Sequence, residues 1–80
     1  ADARAAFDAA SARVSSLERV VGPQAEEAVR LARLGYQAGR FTLLEVLDAE
    51  QALNTAQTTL TDARLERARA AAALERAAAR

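Results

Sequence analysis

A signal for the end of one helix, followed directly by a signal for the start of another, divides this chain near its middle. Gly39 suits the left-handed conformation that ends many helices. Thr42 and Glu45 have the spacing of a capping box, with Thr42 as the N-cap of a new helix and Glu45 at its third position. Phe41 and Val46 are placed for a hydrophobic staple across that cap. A helix, a tight turn and a second helix are therefore predicted.

The segment after the turn is predicted to be one helix from about residue 42 to residue 79, because it contains neither Gly nor Pro. Large and small apolar residues recur along it at heptad spacing, as in a coiled-coil seam. These seam positions are Val46, Ala49, Leu53, Ala56, Leu60, Ala63, Ala70, Leu74 and Ala77. Only Arg67 breaks the pattern.

The first half of the chain carries a similar seam, which is interrupted at Gly22-Pro23. Its predicted members are Phe7, Ala10, Val14, Leu17 and Val21, followed by Ala28, Leu31 and Leu34 or Gly35. Proline is tolerated in the first turn of a helix, so we expect a kink or short break there and no chain reversal. Helices over about 2–21 and 23–38 are predicted, with the tip turn at 39–41.

Folding back at the turn places the two halves along each other, so that residues whose numbers add up to about 80 lie opposite. The predicted fold class is all-α: one long antiparallel helical hairpin over residues 1–80, with its first helix kinked or broken near Gly22-Pro23. A single core in a chain this short rarely contributes more than ~3–5 kcal/mol. We therefore expect a fragment of a larger protein, or self-association such as a dimeric four-helix bundle.

Composition argues against several functional classes. The 11 basic residues, all Arg, balance 11 acidic ones, so the basic face of a nucleic-acid-binding protein is not expected. His and Cys are absent, and no catalytic group or metal-ligand cluster is recognisable; we predict neither an enzyme nor a cofactor or metal site. No apolar run approaches the ~18 residues that span a bilayer, so this segment is not expected to insert in a membrane.

An uncharged polar stretch on the second helix leaves two interpretations open. It consists of Gln51, Asn54, Thr55, Gln57, Thr58, Thr59 and Thr61. These side chains form either a solvated outer face or one wall of a water-filled passage.

The run Gly-Tyr-Gln-Ala-Gly-Arg-Phe-Thr-Leu-Leu-Glu-Val-Leu-Asp-Ala at 35–49 resembles the second-repeat tip of TolC-type outer-membrane efflux proteins. It is most similar to the heavy-metal (cation) efflux branch. The approach Val-Gly-Pro-Gln-Ala-Glu-Glu at 21–27 is similar as well.

This resemblance implies a trimeric outer-membrane protein of a Gram-negative bacterium, with a long α-helical tube in the periplasm. The tips of such tubes dock onto the helical hairpins of a periplasmic adaptor (membrane fusion) protein, which links the channel to a pump. The docking tip would then comprise Tyr36, Ala38, Gly39, Arg40 and Phe41. Glu45 and Asp48 would stand where the family places acids that constrict the mouth of the tube.

Each of these roles has a plainer alternative. Glu45 is already explained as the capping acid, Asp48 as a solvated acid and Tyr36 as a side chain packed over the turn. The chain as a whole is alternatively the coiled-coil hairpin of the adaptor, or a stand-alone structural coiled coil. The Thr-Leu-Leu-Glu-Val-Leu-Asp run after the turn favours the channel over the adaptor.

Overall fold

The computed structural model describes residues 2–79, which form an extended hairpin of two helical arms. The first arm consists of α1 (Asp2–Ser16), a π-helical turn (Leu17–Val21) and α2 (Gly22–Gln37); the second arm is α3 (Leu43–Ala78). The radius of gyration is 17.7 Å, with extents of 63 × 15 × 12 Å, whereas a compact chain of this length has about 12 Å. The predicted all-α hairpin with a bent first helix is confirmed.

Ion pairs between the arms show which residues lie opposite each other. They are Arg33 with Glu50 at 2.7 Å, Glu18 with Arg64 at 2.6 Å and Arg13 with Glu66 at 2.9 Å. In each pair the residue numbers add up to about 80, as the position of the turn predicts. All of these side chains are at least one third exposed, so the pairs contribute more to alignment than to stability.

The core between the arms is thin and built largely from small side chains. Its buried members are Ala10, Val14, Val29, Ala32, Val46 and Ala63. Only Val14 combines complete burial with any bulk. Since hydrophobic stabilisation scales with the apolar area removed from water, alanine positions contribute little, and the hairpin owes its cohesion to a few valines and leucines.

The bend in the first arm is a π-helical turn, and Pro23 accounts for it. Proline has no N–H to donate to the carbonyl of Arg19, and in an α-helix its ring would press against that carbonyl. The chain instead makes a wider turn in which the Gly22 N–H bonds to the carbonyl of Leu17, five residues back. This turn inserts one extra residue and shifts everything after it by about 100° around the helix.

That shift makes part of the predicted seam wrong. Leu31 and Leu34 are 51% and 49% exposed, and Ala28 is exposed too, whereas Val29 and Ala32 are buried. Each buried residue lies one position later than the heptad predicts, because of the residue inserted by the π turn.

The same turn leaves Val21 38% exposed. Uninterrupted α3 follows its predicted seam from Val46 to Leu74, where every seam position is buried or half-buried; Ala77, near the helix end, is exposed.

Candidate docking site at the hairpin tip

The first arm ends in a Schellman motif. Gly39 has φ +75°, the left-handed conformation that was predicted for it. Its N–H donates to the Tyr36 carbonyl at 3.0 Å, and the Arg40 N–H donates to the Gly35 carbonyl at 2.8 Å. These two bonds satisfy carbonyls that a helix end otherwise leaves without partners, and they end α2 at Gln37, with Ala38 as its C-cap.

Gly39 is required for its backbone conformation, since a Cβ at this position would meet no atom within 4 Å. Its exposed face is open, and only the left-handed φ disfavours a larger residue. Gly39 can therefore be replaced by residues that tolerate a positive φ.

Phe41 folds back onto Gly35, the last but two residue of α2. The Phe41 N–H donates to the Gly35 carbonyl at 3.2 Å, so this carbonyl accepts two backbone N–H groups. A Cβ at Gly35 would lie 2.7 Å from Cε2 and 2.8 Å from Cγ of the Phe41 ring. The Phe41 ring can occupy this position because Gly35 has no side chain.

The second arm begins with the capping box. Thr42 is extended (φ −82°, ψ 160°), and its Oγ1 accepts from the Glu45 N–H at 3.2 Å. In return Glu45 Oε2 accepts from the Thr42 N–H at 2.8 Å. Val46, which makes the first backbone bond of the helix to the Thr42 carbonyl, is buried. Both ends of the turn are thus held by a pair of hydrogen bonds, the Schellman motif at the end of α2 and the capping box at the start of α3.

Large apolar side chains are exposed around this turn. Seven of the ten large hydrophobic residues that are exposed in the structure fall between residues 31 and 47: Leu31, Leu34, Tyr36, Phe41, Leu43, Leu44 and Leu47. Leu44 is the most exposed, at 66%. Apolar surface concentrated at one end of a molecule is typical of an interaction site.

A shallow groove continues from this apolar end along one face of the hairpin. Its apolar walls come from Val29 and Leu34 of α2 and Leu53 of α3. Charged residues flank them, among which Arg33 is paired to Glu50 and Arg30 is bonded to Glu27 at 2.6 Å. The hydrogen bond from Arg30 lowers the pKa of Glu27 below its ordinary value, and Glu27 in turn raises the pKa of Arg30.

Comparison with known proteins decides what kind of protein carries this tip. The family model for outer membrane efflux proteins matches residues 1–80. The chain belongs to the outer membrane efflux protein family. No curated protein and no solved structure gave a significant match.

In this outer membrane efflux protein, the sequence-predicted tip residues lie together in the turn. Tyr36 and Phe41 are 47% and 44% exposed, and Ala38, Gly39 and Arg40 are exposed between them. What each side chain does for a partner stays a prediction.

The two predicted acids differ in their surroundings. The carboxylate of Glu45 is bonded into the cap, while Asp48 is exposed one helical turn further along α3 and its carboxylate has no hydrogen bond or ion pair within residues 2–79. Across the described residues no group of three acids, His or Cys could hold a metal ion. Over the same range, no helix is long and apolar enough to cross a membrane.

Sequence reasoning missed Leu43, Leu44 and Leu47 as candidate docking residues. A signal for them was present, since all three fall outside the α3 seam that contains Val46 and Ala49. Gly35 was missed for its role beneath Phe41. In a Schellman motif with Gly39 as its left-handed residue, residue 35 supplies the carbonyl that accepts the hydrogen bond spanning the most residues.

Proposed function

We propose that this hairpin is the periplasmic tip of an outer-membrane efflux channel, where its turn docks onto a helical hairpin of a periplasmic adaptor protein. The observation that carries the proposal is the concentration of exposed apolar side chains at the turn end, between Leu31 and Leu47. Membership of the outer membrane efflux protein family supports the channel over the adaptor or a stand-alone coiled coil as the source of this hairpin.

The construction of the tip suits docking. Two hydrogen-bond motifs hold the turn on either side of Arg40, so the backbone that presents Tyr36 and Phe41 has little freedom to lose on binding. Exposed aromatic side chains on a rigid backbone are typical anchors of protein interfaces. The expected partner is an amphipathic helix pair whose apolar residues cover this end and enter the groove beside Leu34 and Leu53.

A second surface supports assembly with further copies of the chain. The side of α3 away from the first arm carries nine consecutive heptad positions that are all exposed and all uncharged: Leu44, Leu47, Gln51, Asn54, Thr58, Thr61, Leu65, Ala68 and Ala72. Five of the nine residues are apolar, and an apolar heptad stripe is the pattern by which one helix packs on another. In the proposed trimeric tube this stripe, hereafter the outer α3 stripe, packs against a neighbouring copy from Gln51 to Ala72 and against the adaptor at Leu44 and Leu47.

The outer α3 stripe includes part of the uncharged polar stretch for which a solvated face and a passage wall were the two interpretations. Its apolar residues, at both ends, favour packing at those levels. The neighbouring Thr55 and Gln57 are exposed outside the stripe and are the residues left to line a passage.

The acids near the tip are proposed to line the entrance of the tube, as expected for an exporter of metal cations or drugs. Asp48 is the stronger candidate, because its carboxylate is exposed and Glu45 is already bonded to Thr42. In a channel that carries this hairpin, Asp48→Asn is expected to lower cation over anion selectivity in conductance measurements. Unchanged selectivity would remove Asp48 from the entrance.

Docking is tested by comparing two matched leucines of the outer α3 stripe. Leu44 lies at the turn and Leu65 far from it, and they are 66% and 51% exposed. Burying one leucine side chain contributes about 1.5–3 kcal/mol, so Leu44→Gln is expected to weaken binding to the adaptor hairpin by about tenfold or more. Leu65→Gln is expected to leave that affinity unchanged.

The result that would overturn the docking proposal is equal binding by the wild type and both variants, or equal loss in both. The measurement is isothermal titration of the purified chain with the adaptor hairpin. Circular dichroism of each variant verifies that the helices are retained.

Assembly is tested separately by placing a charge in the outer α3 stripe. Thr58→Lys is expected to reduce self-association, because the buried charge would lack a partner. Ala52→Lys, which adds the same charge on an exposed position outside the stripe, is the control. Sedimentation that shows only monomer for the wild type at high concentration would contradict the proposed self-association.

A further inference from the structure

Beyond the interruption at Gly22-Pro23, the heptad spacing of the first arm resumes in the same phase, with Gln24 as its one polar member, although the π turn changes the phase of the helix itself. The members of this heptad pattern are Phe7, Ala10, Val14, Leu17, Val21, Gln24, Ala28, Leu31, Gly35 and Ala38. Those before the π turn are buried or half-buried, and those after it are exposed, apart from half-buried Gly35. The sequence of α2 thus contains one apolar stripe that faces α3 and another that the π turn has rotated outward.

The two stripes are closely matched in bulk. The inward stripe presents Val29 and Ala32 to α3, while the outward stripe presents Ala28 and Leu31. If the π turn closed into regular α-helix, α2 would rotate by about 100° and shift by about 1.5 Å. Ala28 would then take the place of Val29, and Leu31 that of Ala32. Either register buries one small and one large side chain.

Two neighbouring residues favour the register that is observed. Pro23 cannot donate the α-helical hydrogen bond to the carbonyl of Arg19, a defect that destabilises a regular helix. Gly22 donates the π-type bond to Leu17, and a Cβ at Gly22 would lie 3.0 Å from that same carbonyl oxygen. Gly22 therefore suits the wide turn because it has no side chain, and Pro23 suits it because it has no N–H.

The ion pair between Arg33 and Glu50 belongs to this register as well. Rotation of α2 by one residue would put Ala32 opposite Glu50 and swing the guanidinium of Arg33 away from the 2.7 Å contact. On the α1 side of Pro23, Glu18 stays bonded to Arg64 from within the π turn. The switch would thus exchange contacts in α2 and leave those of α1 in place.

We propose that the π turn at Leu17–Val21 is a two-register switch, which Pro23 holds in the register that turns Leu31 outward. Closing the π turn exchanges the inward and outward apolar stripes of α2. This inference goes beyond the proposed docking function and does not depend on it, because its test measures which residue faces α3 and requires no partner.

The absence of cysteine allows the register to be measured by disulfide formation between two introduced cysteines. Val29 and Leu53 line the same groove, so Val29→Cys with Leu53→Cys is the pair for the observed register. Ala28→Cys with Leu53→Cys is the matched pair for the closed register. With Pro23 present, the first pair is expected to oxidise at least about tenfold faster, as expected if the observed register is favoured by 1.4 kcal/mol or more.

Adding Pro23→Ala to both pairs is expected to reverse or abolish this preference, because the closed register becomes accessible. A control deletes Val20 in the Pro23→Ala background. The deletion removes the inserted residue, so regular α-helix then keeps Val29 facing α3, and the first pair is expected to be favoured again.

A Pro23→Ala chain that keeps the wild-type preference would overturn the proposal, and so would one that unfolds, since the closed register is inferred to be a folded state. A deletion variant that favours the second pair would equally contradict it, because the rotation would then not arise from the inserted residue.

Discussion

The carbonyl of Gly35 accepts the N–H groups of both Arg40 and Phe41, while the Phe41 ring lies where a side chain of residue 35 would be. Gly35 therefore stabilises the turn in two ways: its carbonyl accepts two hydrogen bonds, and its lack of a side chain leaves room for the Phe41 ring. This contact fixes the direction in which the chain leaves α2 and sets the position of Thr42, where α3 is capped.

The Gly35–Phe41 contact predicts that Gly35→Ala has opposite effects in two backgrounds. Alanine gains about 1 kcal/mol over glycine inside a helix. In the wild type this gain is offset by about 1–3 kcal/mol of crowding against the Phe41 ring. In a Phe41→Ala background the ring is absent, so Gly35→Ala is expected to stabilise the chain. Urea unfolding of the four variants measures the coupling, and equal effects in both backgrounds would refute the contact.

Gly39 is predicted to be sensitive to backbone conformation and insensitive to side-chain size. Gly39→Ala is expected to lower the free energy of unfolding by about 1–2 kcal/mol, the cost of a left-handed alanine. Gly39→Asn, which adopts this conformation more readily, is expected to cost less, because a Cβ here meets no atom within 4 Å. Thermal unfolding compares the two, and a larger loss for Asn than for Ala would contradict this explanation.

The capping box predicts a difference between two conservative changes at the start of α3. Thr42→Ala removes the oxygen that accepts from the Glu45 N–H and is expected to cost about 1 kcal/mol. Glu45→Gln keeps an oxygen that can accept from the Thr42 N–H and is expected to cost less. Urea unfolding of both variants is the measurement. A Glu45→Gln loss as large as that of Thr42→Ala would show that the charge, and not the cap, is what matters.

The Glu18–Arg64 pair predicts a loss of stability in acid. The hydrogen bond from Arg64 lowers the pKa of Glu18 below its ordinary value of 4.5, with smaller contributions from the charges of Arg64 and Arg67. A lowered pKa means that the folded chain holds the Glu18 proton less tightly than the unfolded chain. The stabilisation is therefore present above about pH 4.5 and is lost as the pH falls through the folded pKa.

The measurement is the shift in the urea midpoint between neutral pH and about pH 3, which Glu18→Gln is expected to reduce. Glu75→Gln is the control, since Glu75 has no ion pair with the first arm within residues 2–79. If both variants lose as much stability in acid as the wild type, the Glu18–Arg64 pair does not stabilise the fold.

The fold was largely predictable from local signals. The left-handed Gly39 and the Thr42–Glu45 box each follow from hydrogen bonds between residues a few positions apart, which sequence spacing reveals directly. The α3 seam was predictable for a related reason, because an uninterrupted helix keeps a constant heptad phase from Val46 to Leu74.

The orientation of α2 was not predictable in the same way. Gly22-Pro23 indicated a kink, but a proline can be accommodated by a bend, a break or a π turn, and only the last of these inserts a residue. The insertion turned Leu31 outward and Val29 inward, and heptad counting alone cannot anticipate such a shift.

At the tip, the residues of the turn were predicted, whereas exposed Leu44 and Leu47 were not. Their exposure depends on which side of α3 the first arm covers. This is a tertiary relationship that becomes visible once the seam is assigned.

The central claim, that the tip is the docking surface, is tested most directly by amide hydrogen exchange of the chain with and without an adaptor hairpin. Docking at the tip predicts that adaptor binding slows exchange in residues 36–47 and leaves residues 65–79 unchanged. Protection confined to residues 65–79, or spread evenly along both arms, would contradict the claim.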